Sequence, residues 1–348
     1  MKAYVLQGIN DLQSKEVEKP ALQSNEVLIE VKAAGICGSD IPRIYKTGAH
    51  KHPLILGHEF SGVVKEVNEP ENKKWLGKRV GVFPLIPCHK CYHCANLHFE
   101  LCSNYSYLGS RRDGAFADYV VVPVENLIEL PDNISFEVAA MLEPMSVAVH
   151  AIRFGEVKSS DTVAVCGLGT IGIMISLFLK KFAPSNILVI GNKDIQHKNT
   201  KLIGIEDDNF CDIRNQDVNK WIMEKTDGQG VEVFFECVGK NETISCAINN
   251  TKAFGNIVLL GNPYSDMNFD KKTYWNILRH QLTIRGSWNS SFTHNDNDDW
   301  HFVLKYLAEN NLDVSFLISH RLSFEDLEKG LHIMKNKSEE YCKIMMIK

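Results

Sequence analysis

The chain has 348 residues and a formal net charge of −5, with 44% of its residues hydrophobic and 23% charged. That length predicts two domains around large cores, and the composition is that of an ordinary globular protein. The acidic balance excludes a general nucleic-acid binder, whose affinity rests on Lys and Arg, and no apolar run reaches the roughly 18 residues of a membrane span.

The opening segment, MKAYVLQGIND, reads as a strand and carries no secretory hydrophobic stretch. Ten cysteines in such a chain point to metal ligands or buried thiols rather than disulfides, and to a cytoplasmic protein. Cys37 follows in AAGICGSDIPRIYKTGAH, between two glycines and ahead of Ser39 and Asp40. Next comes PLILGHEFSGVV, with His58 and Glu59 side by side between Gly57 and Gly62. A lone cysteine is usually a small buried hydrophobe, and a His–Glu pair at a strand start can simply be hydrogen-bonded. Cysteine, histidine and carboxylate together, however, form a donor set suited to zinc. Three protein ligands leave one coordination position for water or substrate, as in a catalytic site.

The segment PCHKCYHCANLHFELC contributes Cys88, Cys91, Cys94 and Cys102, spaced C-x2-C-x2-C-x7-C. Short gaps aim neighbouring thiolates at one centre, and the longer loop returns the fourth to close a tetrahedron. Four sulfurs leave zinc no open position, so the expected metal is structural. An iron–sulfur cluster uses a similar opening run, but its fourth cysteine is commonly followed by proline, where this chain has Ser103.

Thr162 to Cys166 is apolar and β-branched, a buried strand by pattern. Gly167-Leu168-Gly169-Thr170-Ile171-Gly172 then gives G-x-G-x-x-G, and Ile171 to Phe182 runs on without a breaker as a helix. Between a strand and a helix, this motif is the pyrophosphate turn of a dinucleotide-binding domain. NILVIG, VEVFFECVG, GNIVLLG and LTIRGSW read as further strands, with NKWIMEKT and TISCAIN as helices. That alternation predicts a doubly wound parallel sheet. An NAD-binding domain places Asp or Glu near the end of the second strand. Here the position is Gly191, followed by Asn192 and Lys193. An absent anion and a nearby cation favour NADP(H) over NAD(H), although Asp194 could turn in to restore NAD binding. FTHNDNDDWH reads as a polar loop. SFEDLEKGLHIMK reads as a capped amphipathic helix opening at Ser323, with Asp326 three positions on. Cys166, Cys211, Cys237, Cys246 and Cys342 read as buried thiols.

Together CGSD, GHEFSG, the four-cysteine lobe, LEP at Leu142–Pro144 and GLGTIG resemble the zinc-dependent medium-chain dehydrogenase/reductase family, in its motif order and over essentially the whole chain. The resemblance implies an α/β protein made of two domains. Residues 1–150 would form a GroES-like β-rich catalytic domain with a structural zinc lobe at 84–104. Residues 151–288 would form the Rossmann domain, and 289–348 would return to the catalytic domain, with the active site in the cleft. It implies two zinc ions per chain. Cys37, His58 and Glu59 match the catalytic ligands, and Glu143 matches a carboxylate that binds that metal directly or through water. Ser39 matches the hydroxyl that carries the substrate proton outward. Many members have a histidine where this chain has Pro42, so His50 becomes the candidate outer end of the relay.

Within the family, CGSDIPRIYKTGAH, LGSRRDGAFADY and RGSWNSS are similar to members acting on a sugar-alcohol phosphate, and Asn289 stands near where sorbitol-specific members carry arginine. The implied activity is reversible hydride transfer between a nicotinamide cofactor and a secondary alcohol. Arg43, Arg111 and Arg112 are the candidate phosphate ligands, because a planar guanidinium suits phosphate oxygens. An unphosphorylated polyol, a simple secondary alcohol or threonine is the alternative substrate. A non-catalytic nucleotide-binding protein on the same fold is the alternative class. The family further implies homodimers or homotetramers.

Overall fold

The computed structural model describes residues 1–263 and 265–348. Its contacts fall into two compact units, Met1–Glu143 with Ser291–Lys348, and Pro144–Ser290.

The first unit is β-rich. Its N-terminal part holds β1 (Lys2–Gly8), β2 (Asp11–Glu16), β3 (Glu26–Ile36), α1 (Asp40–Tyr45), β4 (Leu54–Ile55), β5 (Glu59–Val67) and β6 (Arg79–Val82). There follow β7 (Leu85–Ile86), α2 (Tyr92–Ala95), β8 (Ser106–Tyr107), β9 (Tyr119–Pro123), β10 (Leu127–Glu129) and α3 (Phe136–Ala140); α4 (Leu142–Gly155) starts at its end. β3 is the spine. It is buried along nearly its whole length, and it pairs antiparallel with β5, β9 and the C-terminal strand Lys343–Ile347. The sheet runs β10-β6-β5-β3, then the C-terminal strand and its parallel neighbour Ile318–Leu322. The last part of the chain therefore completes the sheet begun at residue 26. Val27, Ile29, Val31, Ala34 and Ile36 of the spine join Phe60, Val64 and Phe116 in one apolar core, the burial that drives closure of such a sheet.

The second unit is the parallel sheet expected from the strand–helix alternation. It contains β11 (Thr162–Cys166), α5 (Thr170–Phe182), β12 (Asn186–Gly191), α6 (Asp194–Leu202), β13 (Phe210–Asp212), α7 (Val218–Lys225) and β14 (Val231–Glu236). α8 (Asn241–Asn250), β15 (Thr251–Leu259), α9 (Lys271–Arg279) and β16 (Thr283–Gly286) complete it. All pairs are parallel, and the order β13-β12-β11-β14-β15-β16 reverses direction at β11 and β14. Ligands of doubly wound sheets bind at the carboxyl ends of the strands beside such a reversal. The strands are apolar runs because both faces are covered.

α10 (Asp299–Glu309), β17 (Ile318–Leu322), α11 (Leu327–Asn336) and β18 (Lys343–Ile347) return to the first unit. Two elements differ from the pattern reading. The polar run FTHNDNDDWH ends inside α10, whose cap is Asp298 accepting from the His301 N–H. The last helix begins at Leu327, because Ser323 and Asp326 bond to each other in a preceding turn. Among the described residues no helix is long and apolar enough to cross a membrane.

Candidate active site

Antiparallel pairing of β3 with β5 sets Gly35 opposite Glu59. Cys37, just past the end of β3, is thereby brought to His58 and Glu59 at the start of β5. One donor atom from each of Cys37, His58 and Glu59 lies within 4.8 Å of the other two. His58 and Glu59 are buried, and Cys37 is half-buried.

Asp40, the first residue of α1, is fully buried behind this group. Its Oδ2 accepts from the Cys37 N–H at 3.0 Å, and its Oδ1 faces His58 Nδ1 at 3.6 Å. Among the described residues neither His58 Nδ1 nor Asp40 Oδ1 has a hydrogen-bond partner. A metal-binding imidazole commonly directs its other ring N–H at a carboxylate, which fixes its tautomer and orientation. Burial pushes the Cys37 thiol up, as do the charges of Glu59 and Asp40. A thiol, an imidazole and two carboxylates packed with Lys343 as the one buried ammonium beside them form an unfavourable group alone and a fitting one around a divalent cation. Zinc fits these residues.

Lys343 of β18 reaches into the same place. It is buried, ion-pairs with Glu59, and donates to the Ile36 carbonyl at 3.1 Å. The pair occupies space above the bare Cα of Gly35, where an added Cβ would collide with both side chains. Glu143 lies within electrostatic reach of Glu59 and His58. Burial and the charge of Glu59 raise its carboxyl to about 7, and the Tyr107 hydroxyl donates to its Oε1 at 3.3 Å. Its oxygens are not part of the three-donor cluster. Tyr107 also meets the His58 ring edge-on, with centroids 5.7 Å apart.

On the outer side, Ser39 Oγ donates to Cys37 Sγ at 3.3 Å and accepts from Arg43 Nη1 at 2.8 Å. The exposed His50 lies within electrostatic reach of Arg111 and Arg43, and its pKa is lowered by partial burial and by both cations. Arg111 lies over the Tyr105 ring at 4.6 Å, and Tyr105 contacts Tyr107. Arg43, Arg111 and His50 are thus gathered on one side of the cluster. Arg112 is not among them: its Nη2 is 2.6 Å from the buried Glu26, and it lines a cavity of about 560 Å³ beside the β1–β2 hairpin.

Cys88, Cys91, Cys94 and Cys102 form a separate four-sulfur cluster. Cys91 Sγ is 3.5 Å from Cys94 and 3.9 Å from Cys102, and Cys88 is 4.0 Å from Cys94. Backbone N–H groups of Cys94 and Ser103 hold the Cys91 thiol down at about 5, while burial raises Cys94 to about 12. The lowered Cys91 thiol ionises most readily of the four, and a metal would supply the charge that ionises the rest. The donors fit a closed zinc site.

In the second unit, β11 ends at Cys166 and α5 starts at Thr170. Gly167 has φ +93°, a conformation that favours glycine, and a Cβ at Gly172 would collide with the Gly167 carbonyl. Gly169 caps α5, and Thr170, Ile171 and Gly172 form its first turn, so backbone N–H groups open the helix in the arrangement that suits a phosphate. Gly191 ends β12, and the backbone N–H groups of Asn192 and Lys193 are taken by Gln196 Oε1. Asp194 Oδ1 is bound by Arg214 at 2.6 Å.

Sequence reading missed Asp40, Tyr107, Lys343 and Arg214. Only Lys343 left a signal, as a lone cation inside the buried strand CKIMMI.

The alcohol dehydrogenase GroES-like domain family matches residues 23–132, and the zinc-binding dehydrogenase family matches residues 167–309. The galactitol 1-phosphate 5-dehydrogenase of Escherichia coli K12 is 30% identical over 308 residues, 88% of each chain. The L-idonate 5-dehydrogenase of Vitis vinifera is 32% identical over 340 residues, 95% of this chain and 90% of the relative. A zinc-binding dehydrogenase from Sinorhizobium meliloti 1021, solved bound to NADP, superimposes with a TM-score of 0.90 at 25% identity, covering 100% of this chain and 99% of that one.

Proposed function

The chain belongs to the zinc-dependent medium-chain dehydrogenase/reductase family of alcohol and polyol dehydrogenases, and from that membership we propose that it reversibly oxidises a secondary alcohol of a sugar-alcohol phosphate, in the manner of galactitol-1-phosphate 5-dehydrogenase, with NADP as hydride acceptor. The observation that carries the reading is Ser39, bonded on one side to the Cys37 sulfur and on the other to the Arg43 guanidinium. It links the donor cluster Cys37–His58–Glu59 to a group of cations.

A zinc ion held by Cys37, His58 and Glu59 would supply a Lewis acid that makes an alcohol proton easy to lose without a strong protein base. Ser39 would accept that proton on its oxygen as its own hydroxyl proton leaves outward. Arg43 has no acceptor and cannot carry it further. His50, kept neutral by its lowered pKa, passes it to solvent. Asp40 faces the His58 ring nitrogen at 3.6 Å, and Lys343 pairs with Glu59. Glu143 adds a buried carboxyl beside these ligands, and its Oε1 accepts from the Tyr107 hydroxyl. Gly167, Gly169, Thr170, Ile171 and Gly172 bind the dinucleotide pyrophosphate. The nicotinamide, when bound, accepts the hydride. The four-cysteine lobe holds a second, structural zinc. Thiolate sites of this kind suit the reducing cytoplasm.

Arg43 and Arg111, with His50, provide the charge for a phosphate on the substrate. An unphosphorylated polyol or polyol acid, such as the L-idonate of the Vitis relative, is the second reading. Copies of the chain pair through β16, which has a strand neighbour on one side only. Ile284 on that edge, and Trp275, Leu278 and Trp288 near it, are exposed large apolar side chains.

The test is steady-state oxidation of galactitol 1-phosphate, galactitol, sorbitol, ribitol 5-phosphate and threonine with NADP and NAD in parallel. The reading expects kcat/KM to fall at least about tenfold when the phosphate is removed, the worth of a charge-assisted contact. Equal turnover of galactitol and its phosphate would reject it.

A further inference from the structure

The carboxyl end of β12 is where a dinucleotide fold distinguishes a ribose diol from a ribose phosphate. Gly191 closes that strand, and a Cβ there would meet Gln196 Oε1 at 2.7 Å and Phe210 Cε2 at 3.2 Å. A side chain there would have to displace Gln196 Oε1 from the Asn192 and Lys193 N–H groups it accepts from. The parallel ladder sets Gly191 beside Asp212 of β13, and the Ile213 N–H donates to the Gly191 carbonyl at 3.1 Å. The next residue is Arg214. Its Nε bonds both oxygens of Asp212, at 2.9 and 3.0 Å, and its Nη2 bonds Asp212 Oδ2 at 2.7 Å. The same Nη2 reaches across to Asp194 Oδ1 at 2.6 Å.

The two carboxylates are not equivalent. The Asp212 side chain is 19% exposed and grips the guanidinium through two nitrogens, whereas Asp194 is 82% exposed and takes one bond. Asp212 is the anchor and Asp194 the exchangeable partner. Arg214 Nη1 has no bond among the described residues.

We propose that Arg214, fixed by Asp212, selects NADP in two ways: its guanidinium binds the 2′-phosphate of the adenosine ribose, and its pairing with Asp194 keeps that carboxylate from the ribose diol. The proposal rests on the NADP reading given above. A phosphate oxygen takes the place of the Asp194 carboxylate and also uses Nη1, a fork arrangement that guanidinium favours. Asn192 and Lys193 border the same strand end.

The probes are adenosine 2′,5′-bisphosphate and adenosine 5′-monophosphate, which lack the nicotinamide, so binding is read without turnover. Titration calorimetry uses the full-length, zinc-loaded protein as wild type, Arg214→Met, Arg214→Lys and Asp194→Asn, with thermal melting of each. Wild type is expected to bind the bisphosphate at least about tenfold more tightly than the monophosphate. Arg214→Met abolishes most of that ratio, Arg214→Lys keeps part of it, and Asp194→Asn raises bisphosphate affinity. If wild type discriminates and Arg214→Met discriminates equally well, the Arg214 assignment fails while the NADP reading stands, even if the variant melts lower. If wild type itself shows no preference for the 2′-phosphate, both fail.

Discussion

Lys343 and Glu59 form an ion pair in which each side chain is about 2% exposed. The two residues lie on β18 and β5, the strands flanking β3, and they meet above Gly35 next to the Cys37 sulfur. On the proposed reading Glu59 has two cationic claimants, Lys343 and the zinc, and the ion pair holds its carboxylate in the zinc-free protein.

Replacing Lys343 with Met leaves Glu59 charged and unpaired in the interior, which costs about 3–5 kcal/mol. That loss is expected in urea unfolding of the zinc-free protein. With zinc bound the loss shrinks, because Glu59 regains a cation. Equal losses in the two states would mean that Lys343 acts only through packing.

Glu143 predicts a pH dependence. Its carboxyl stands at about 7 in the folded protein against 4.5 for an ordinary glutamate, because of burial and then Glu59. The folded state binds this proton more tightly than the unfolded one, so its contribution is full below pH 4.5 and is lost as pH rises through 7. The loss amounts to roughly 3 kcal/mol. Zinc-free wild type and Glu143→Gln, unfolded in urea from pH 4.5 to 8, should differ by that slope. Parallel curves would place the Glu143 pKa in the ordinary range.

The two adjacent arginines separate substrate binding from stability. Arg111→Ala is expected to raise KM for the phosphorylated substrate about tenfold or more, the loss of a charge-assisted hydrogen bond. Arg112→Ala leaves KM unchanged but lowers the melting temperature, since it strands the buried Glu26. The reverse pattern would place the phosphate on the Arg112 side.

The free edge of β16 can be tested directly. Ile284→Lys puts a charge on an exposed apolar position of the edge, a device that blocks strand pairing. Sedimentation should show the mutant shifted towards monomer. An unchanged assembly would move the interface elsewhere.

What could be read from the sequence follows how locally each feature is encoded. The four-cysteine lobe and the glycine turn each lie within one short segment, so spacing alone points to their chemistry. Cys37 and His58 are brought together by one antiparallel pairing, and their residue types suggest a shared metal from the sequence alone. Lys343 joins them only because β18 pairs with β3 from the far end of the chain. Arg214 meets Asp194 only because β13 lies parallel to β12. Such pairings are set by burial over whole strands and leave no local motif. Arg111 and Arg112 show the same limit at the smallest scale. They are neighbours in sequence, yet one stacks on Tyr105 and the other pairs with Glu26.

The most direct measurement is anomalous scattering at the zinc edge from crystals of the purified protein. Two peaks per chain are expected: one inside the tetrahedron of Cys88, Cys91, Cys94 and Cys102, the other within bonding distance of Cys37 Sγ and His58. A single peak in the four-cysteine lobe, with Cys37 and His58 bare at full zinc supply, would contradict the account.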